Sequence, residues 1–321
     1  MTTILRTRPR LRAVQQAVAP LVRWRHLTRR DLQIALGVLW LLDGALQAQS
    51  FMFTRGFATQ LIAPTGQGQP GVVSGPVHLA STVIAAHPFA WNLLFAAAQL
   101  LLGVGLLLRR TARVALIASI AWALGVWYVG EGLSGLASGH ASILNGAPGS
   151  ALLYAVIGAA AWPSGTREDE APARWLVRAW AVLWVGAAIY QLLPGQNTGS
   201  DVSSVLTGAA GAAPSWLTQV DTSIATWAGQ HGALVVVGLA GVEFLVGVAA
   251  LSRKTRTWAL AVGIGLSLAI WVFGQDLGQL YSGQSTDPNS APLIALMGVA
   301  LLARSRKRET APLAADMSAV A

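Results

Sequence analysis

Of the 321 residues, 54% are hydrophobic and 11% are charged, with a mean hydropathy of +0.54, whereas a soluble domain has about a quarter of its residues charged. This balance excludes an ordinary soluble domain and reads as an all-α, polytopic membrane protein. The chain has no cysteine, which excludes disulfides, thiolate metal ligands, iron–sulfur clusters and thiol relays within it.

In chain order, residues 1–31 form a basic segment holding eight arginines. It has no signal-peptide h-region followed by a cleavage site, so it is expected to be retained and to lie along the anionic inner leaflet. Eight transmembrane spans are predicted near residues 32–53, 88–108, 114–138, 148–162, 175–193, 233–251, 258–280 and 291–303. The connection PSGTREDEAPAR, residues 163–174, separates a first four-helix repeat (32–162) from a second (175–303), and residues 304–321 read as a disordered tail. Of the 22 basic residues only Arg55 falls in a loop of the opposite parity. The positive-inside rule then places both termini in the cytoplasm and the long loops 54–87 and 195–231 outside. The net charge of +9 is thus a topology signal; the partner it implies is the lipid bilayer and not nucleic acid. Within the two long loops, HLASTVIAAH and SWLTQVDTSIATWAGQH read as interfacial lids over an outward-facing cavity, with Trp216 and Trp227 at the interface.

The repeat is visible without a gap. Residues 127–152, WYVGEGLSGLASGHASILNGAPGSAL, match 271–296, WVFGQDLGQLYSGQSTDPNSAPLIAL, at 11 of 26 positions, including Trp127/Trp271, Asn145/Asn289 and Pro148/Pro292. The same offset of 144 superposes Trp40 on Trp184, Gln47 on Gln191, His87 on His231, Gly103 on Gly247 and Arg109 on Arg253. Four spans per half is an even number, so the halves are expected to be parallel and related by an axis along the membrane normal. The fourth and eighth spans are short; paired short segments point to a buried site, the alternative being helices that extend into the loop or locally thin the bilayer.

Ionisable residues inside spans are costly, so they face a bundle interior, a partner or a wet cavity. Asp43 and Gln47 lie four residues apart on one face of span one, Glu131 near the outer end of span three, and Gln275 and Asp276 at the corresponding place in span seven. Glu243, in span six, stands opposite Gln99 in the repeat. With Gln191, Asn145 and Asn289 these are the predicted pocket-lining residues. His87 and His231, each just before a span, are candidate ligands for a shared metal, or axial ligands of a haem. Glu131 and His140 are further candidates for contact with a cofactor. Loop anchoring is the alternative for the histidines.

The four-span unit, with a Gly-containing first helix bearing Asp or Gln and a third helix ending in polar residues, resembles the DoxX/DoxD-like membrane family over residues 32–162 and 175–303. The resemblance implies a plasma-membrane protein associated with redox work and, for the DoxD branch, the small subunit of a thiosulfate:quinone oxidoreductase. It carries over no individual residue. The expected function is a membrane redox component with a polar pocket for a quinone, haem or transition metal, working with another membrane or extracytoplasmic redox protein. A small-solute transporter or channel, with its path lined by Asp43, Gln47, Gln191, Glu131 and Glu243, is the alternative, as is a scaffold subunit.

Overall fold

The computed structural model describes residues 27–163, 171–209 and 214–303, and all regular structure among them is helical. Residues 1–26, most of the 163–174 connection and the tail from 304 lie outside the described residues, so the readings made for them do too. Among the described residues the α-helices are α1 (Arg29–Gln47), α2 (Gly71–Ala86), α3 (Pro88–Leu107), α4 (Ala112–Gly125, continued by a wide turn over Val126–Gly130) and α5 (Ser150–Ala160). They continue with α6 (Leu176–Gln191), α7 (Gly199–Ala209), α8 (Ser215–Gln230), α9 (Gly232–Ala249), α10 (Arg256–Phe273) and α11 (Ser290–Ala303).

By length and composition, four of these helices can cross a membrane: α3, α4 with its wide turn, α9 and α10. Their outward faces carry exposed Leu101, Val114, Ile117, Leu234, Leu245 and Val262. A surface this apolar is untenable in water but is what hydrocarbon requires. α2, α5, α6 and α11 are apolar but shorter.

Local chemistry sets the helix ends. Thr28 caps α1 in a reciprocal box with Asp31: the Thr28 hydroxyl accepts from the Asp31 amide at 3.1 Å and Asp31 accepts from the Thr28 amide at 2.8 Å. Arg30 reaches the last carbonyls of α3, donating to Leu106 O at 2.9 Å, and Arg256 does the same for α9, donating to Ala250 O at 2.8 Å and Leu251 O at 3.0 Å. A guanidinium there satisfies orphan carbonyls at the negative end of the helix dipole. Thr111 and Thr255 cap the same ends, each donating at 2.7 Å, to Gly105 O and Ala249 O.

Close packing follows the small residues. α1 meets α3 where Gly37 faces Gly103, and α6 meets α9 where Ala181 faces Gly247; a Cβ on Gly103 would stand 2.9 Å from Gly37 O and one on Gly247 3.0 Å from Ala181 O. A single hydrophobic core runs through both halves of the chain, from Leu32 to Leu301. In it Trp40 stacks on Tyr154 with centroids 4.6 Å apart and donates to Ser119 at 2.8 Å. Trp180 fills the space left by Gly263 and Gly298. A second, smaller core, built on Met52, Phe57, Ile62, Val73, Val77 and Ile84, joins the segment after α1 to α2 and makes a cover over one end of the bundle.

Three sequence expectations differ from this arrangement. Spans three and seven were extended to 138 and 280, but the helices end at Gly130 and Phe273, because the chain there turns left-handed. Span one was extended to 53 and its α-helix ends at Gln47, with a short 3-10 turn over Ser50–Phe53. The ungapped superposition also fails at its end. Trp127 donates to Pro148 O at 2.8 Å and Trp271 to Pro288 O at 2.9 Å, so the equivalent prolines are Pro148 and Pro288 and not Pro148 and Pro292. The second loop is four residues shorter, and α5 and α11 begin at Ser150 and Ser290.

Candidate functional site

The site is organised by a backbone form that L-residues avoid. Gly132, Leu133, Ser134 and Gly135 have φ of 54°, 55°, 51° and 79°, and Asp276, Leu277, Gly278 and Gln279 have 51°, 54°, 68° and 53°. Each run is one left-handed turn placed directly after a membrane helix. A left-handed residue other than glycine costs roughly 1–2 kcal/mol, so two non-glycines in the first run and three in the second store strain that surrounding bonds must offset. Gln69 Nε2 donates to Gly132 O at 2.8 Å, Thr65 to Gly130 O at 3.1 Å and Ser285 to Gly278 O at 2.8 Å. Gly132 is required on a second count: a Cβ there would lie 2.3 Å from the Thr65 carbonyl oxygen.

The turn aims the residue before it at the start of the next helix, α5 in the first half and α11 in the second. Glu131 Oε1 accepts from Ser150 Oγ at 2.7 Å and from the Ala151 amide at 3.0 Å, while Oε2 accepts from Ser134 at 3.2 Å. A carboxylate at the N-terminus of α5 is favoured by the helix dipole. In the second half Gln275 stands in its place. Its Oε1 accepts from the Ala291 amide at 3.1 Å, and its Nε2 donates to Ser290 at 3.0 Å and to Ile143 O at 3.1 Å. That last bond crosses between the halves, as do Tyr190 to Leu136 O at 2.8 Å and Gln196 to Ala141 O at 2.6 Å. The polar loop after the first turn is therefore held by the second half.

A cavity of about 1560 Å³ opens between this loop, the cover, α3, α4 and the segment before α11. On α4 its lining runs from Ala118 to Gly130, a rise of about 18 Å at 1.5 Å per residue. Its inner wall is a connected aromatic row: Phe95 lies 6.3 Å from Phe57, 6.0 Å from Trp91 and 5.9 Å from Trp122. Its other end is polar and includes Gln69, Glu131, Ser138, His140 and Asp287. Burial, and after it the negative charge of Asp287, push the Glu131 carboxyl up to about 7, against the bonds from Ala151, Ser150 and Ser134 that lower it.

The predicted site residues divide cleanly. Gln47, Glu131, His140, Asn145, Gln275 and Asn289 line the cavity; Asp43, Gln191, Glu243, Asp276, His87 and His231 do not. Gln47 is paired with Asn92, its Nε2 donating to Asn92 Oδ1 at 2.5 Å and Asn92 Nδ2 returning to Gln47 O at 2.8 Å. Gln191 donates to Gln196 O at 2.7 Å. Asp43 is buried beside Tyr154, and Glu243 is buried with neither carboxylate oxygen hydrogen-bonded. Asp276 is also buried without a partner for its carboxylate, as is Asp221 of α8, whose repeat position in α2 is the buried Val77. Burial first, and then Asp276, push Asp221 up to about 6, and burial raises Asp276.

His87 and His231 are exposed, each at the junction of two helices. His231 stacks on Trp227 at 4.7 Å and its Nδ1 lies 2.9 Å from Trp227 O. Among the described residues no group of three or more His, Asp or Glu side chains is disposed to hold a metal ion. Sequence reasoning missed Asp287, Gln69 and the aromatic row. Asp287 sits in a Thr-Asp-Pro-Asn turn that reads as loop punctuation, and an aromatic stripe in a membrane helix reads as packing.

No protein-family model matches the chain, and no curated protein or solved structure is significantly similar to it.

Proposed function

We propose that the chain is a polytopic plasma-membrane protein of DoxX-like type, built from two parallel four-helix units, that takes a membrane-dissolved amphiphile into the cavity beneath its first cover. The observation that carries this reading is the cavity's two-ended chemistry. An apolar aromatic trough runs alongside α3 and α4 and ends at a polar head region around Glu131 and Asp287. Support for two units comes from the recurrence of structure at the sequence offset: α2 and α8 begin and end 144 residues apart, as do the Thr111 and Thr255 caps and the two left-handed turns.

A quinone is the amphiphile implied by the resemblance. Its isoprenoid chain suits the trough, and its two carbonyls need donors; of the buried unpartnered atoms on this wall Gln69 Oε1 and Gln99 Oε1 accept and only the Trp122 indole N–H donates. We derive no redox step from the quinone. Two lines of support that a metal centre would want are missing from the geometry: His87 and His231 lie outside the cavity, and the described residues group no third ligand with them.

Photolabelling tests the proposal. The purified full chain in lipid nanodiscs, treated with an alkyl diazirine amphiphile, is expected to be labelled saturably at Phe57, Phe95 and Trp122. Labelling confined to the lipid-facing Leu101, Val114 and Ile117 would overturn it. Reporter fusions after Gly75 and Thr207 test the two parallel units, and both are expected to report an outside location.

A further inference from the structure

We propose that the head of the molecule received by this cavity is a protonated amine, held by Glu131, Asp287 and the side-chain carbonyl of Gln69. The inference rests on the reading of the cavity as an amphiphile site and names the class of head it selects. Three independent features of the wall point the same way.

The first is charge. Among the described residues no lysine or arginine lines the cavity, and two carboxylates do. An anionic head would meet uncompensated like charge in a partly desolvated site, and a cationic one would relieve the repulsion between Glu131 and Asp287.

The second is the hydrogen-bond inventory. Most of the cavity's hydroxyl donors are already committed to the protein: Ser134 and Ser150 to Glu131, Ser138 to Gly135 O, Thr65 to Ile62 O and Gly130 O, Thr286 to Asp287 and Ser285 to Gly278 O and Asp287 O. Of the wall's side-chain atoms left buried without a partner, one is a donor, the Trp122 indole N–H, and two are amide oxygens that accept. Gln69 Oε1 is fixed in that role because Gln69 Nε2 donates to Gly132 O at 2.8 Å. Gln99, buried in α3, presents a second such oxygen. A buried acceptor without a donor carries a desolvation cost that an N–H group removes.

The third is the aromatic row. Trp91, Phe95, Trp122 and Phe57 line the wall together and would bury the alkyl chain once it is seated. An alkylammonium supplies charge, N–H donors and an apolar chain together. An alcohol lacks the charge, a quaternary ammonium lacks the donor and a quinone lacks both.

Glu131 is held up to about 7, whereas an alkylamine, like lysine, keeps its proton to roughly pH 10.4. Binding is therefore expected to tighten from pH 6 to pH 8 as Glu131 loses its proton. The ionisable groups around Glu131 are Asp287, which acts on it directly, Tyr154 and Asp43 on the α1–α5 side, and His140 on the cavity rim.

The test is equilibrium binding to the purified full chain in nanodiscs, corrected against empty nanodiscs, across one chain length: dodecylamine, dodecanol, dodecyltrimethylammonium, dodecyl sulfate and a decyl-quinone. The amine is expected to bind at least about ten-fold tighter than the alcohol and the quinone, which is the size of one charge-assisted hydrogen bond. The trimethylammonium is expected to fall between, and the sulfate not to compete. Glu131→Gln should remove the amine's advantage over the alcohol. Asp287→Asn should do so in part, and carries the test if the first variant does not fold. Alcohol or quinone binding as tightly as the amine, or an amine preference that survives both substitutions, would overturn the inference and leave the amphiphile site standing. Saturable binding by none of the five would remove the site itself.

Discussion

The two left-handed turns solve one geometric problem with different chemistry. After α4 the chain presents Glu131 to the start of α5; after α10 it presents Gln275 to the start of α11, and each accepts from the amide of the helix's second residue. The amide also donates, so Gln275 saturates its surroundings and ties the halves together through Ile143 O. The carboxylate cannot donate when ionised, and its second oxygen faces Ser134 and the cavity. One turn has become a strut and the other part of the cavity wall. The covers diverge in the same sense. The first, with its own small core around Phe57 and Val77, leaves a cavity beneath it, while in the second α7 packs on α8.

The largest effect expected is at the first turn's backbone. Gly132→Ala drives a methyl into the Thr65 carbonyl and should cost more than about 4 kcal/mol, seen as loss of the thermal transition in detergent. Gly125→Ala, where nothing lies within 4 Å, should leave it in place. A folded Gly132→Ala protein would mean that the cover does not sit on the turn. Next comes the strut. Gln275→Glu replaces the donor to Ile143 O with an acceptor and should cost about 1–3 kcal/mol, more at high pH, whereas Gln275→Ala should lose the crossing bond without that pH dependence.

The converse exchange, Glu131→Gln, should act on the slope of stability with pH. With its carboxyl held up to about 7, against an ordinary 4.5, folded Glu131 keeps a proton that the unfolded chain has released between those values. Stability therefore falls as pH rises from about 4.5 to about 7, and the variant should flatten that slope. Unfolding midpoints at pH 5 and pH 8 measure it; an unchanged slope would place the carboxylate in water. Asp221→Val, which restores the residue of the first half, follows the same sign between 3.8 and about 6 and should raise stability at pH 8 more than at pH 5. The smallest effects belong to the paired tryptophans. Trp127→Phe and Trp271→Phe each delete one bond to a proline carbonyl and should cost about 1 kcal/mol apiece. Clearly unequal losses would show that the two turns are not equivalent in strength.

By itself the sequence determined the helical, membrane-borne character of the chain, the places where the basic residues sit and the singling out of Glu131 and Gln275. These follow from hydropathy and from the cost of an ionisable group in an apolar run, both local properties. It also showed, through the offset of 144, which elements recur. It did not show the left-handed turns, because Leu133, Ser134, Leu277 and Gln279 are residue types that a helical pattern absorbs without protest; only contacts with Thr65, Gln69 and Ser285, distant in sequence, hold them at positive φ. The four-residue shortening of the second loop was hidden by the chance alignment of Pro148 with Pro292 and emerged only from the tryptophan bonds. Tertiary structure also decided which polar residues share a space. Asp43 and Gln47 lie one turn apart on the same helix, yet only Gln47 reaches the cavity, and Asp287, unremarkable in sequence, becomes the neighbour whose charge adds to burial in raising Glu131. Periodicity fixes which face of a helix is polar, but which polar faces meet is set by how the helices cross, and here the crossings are set by Gly37, Gly103 and Gly247 in the α1–α3 and α6–α9 pairs.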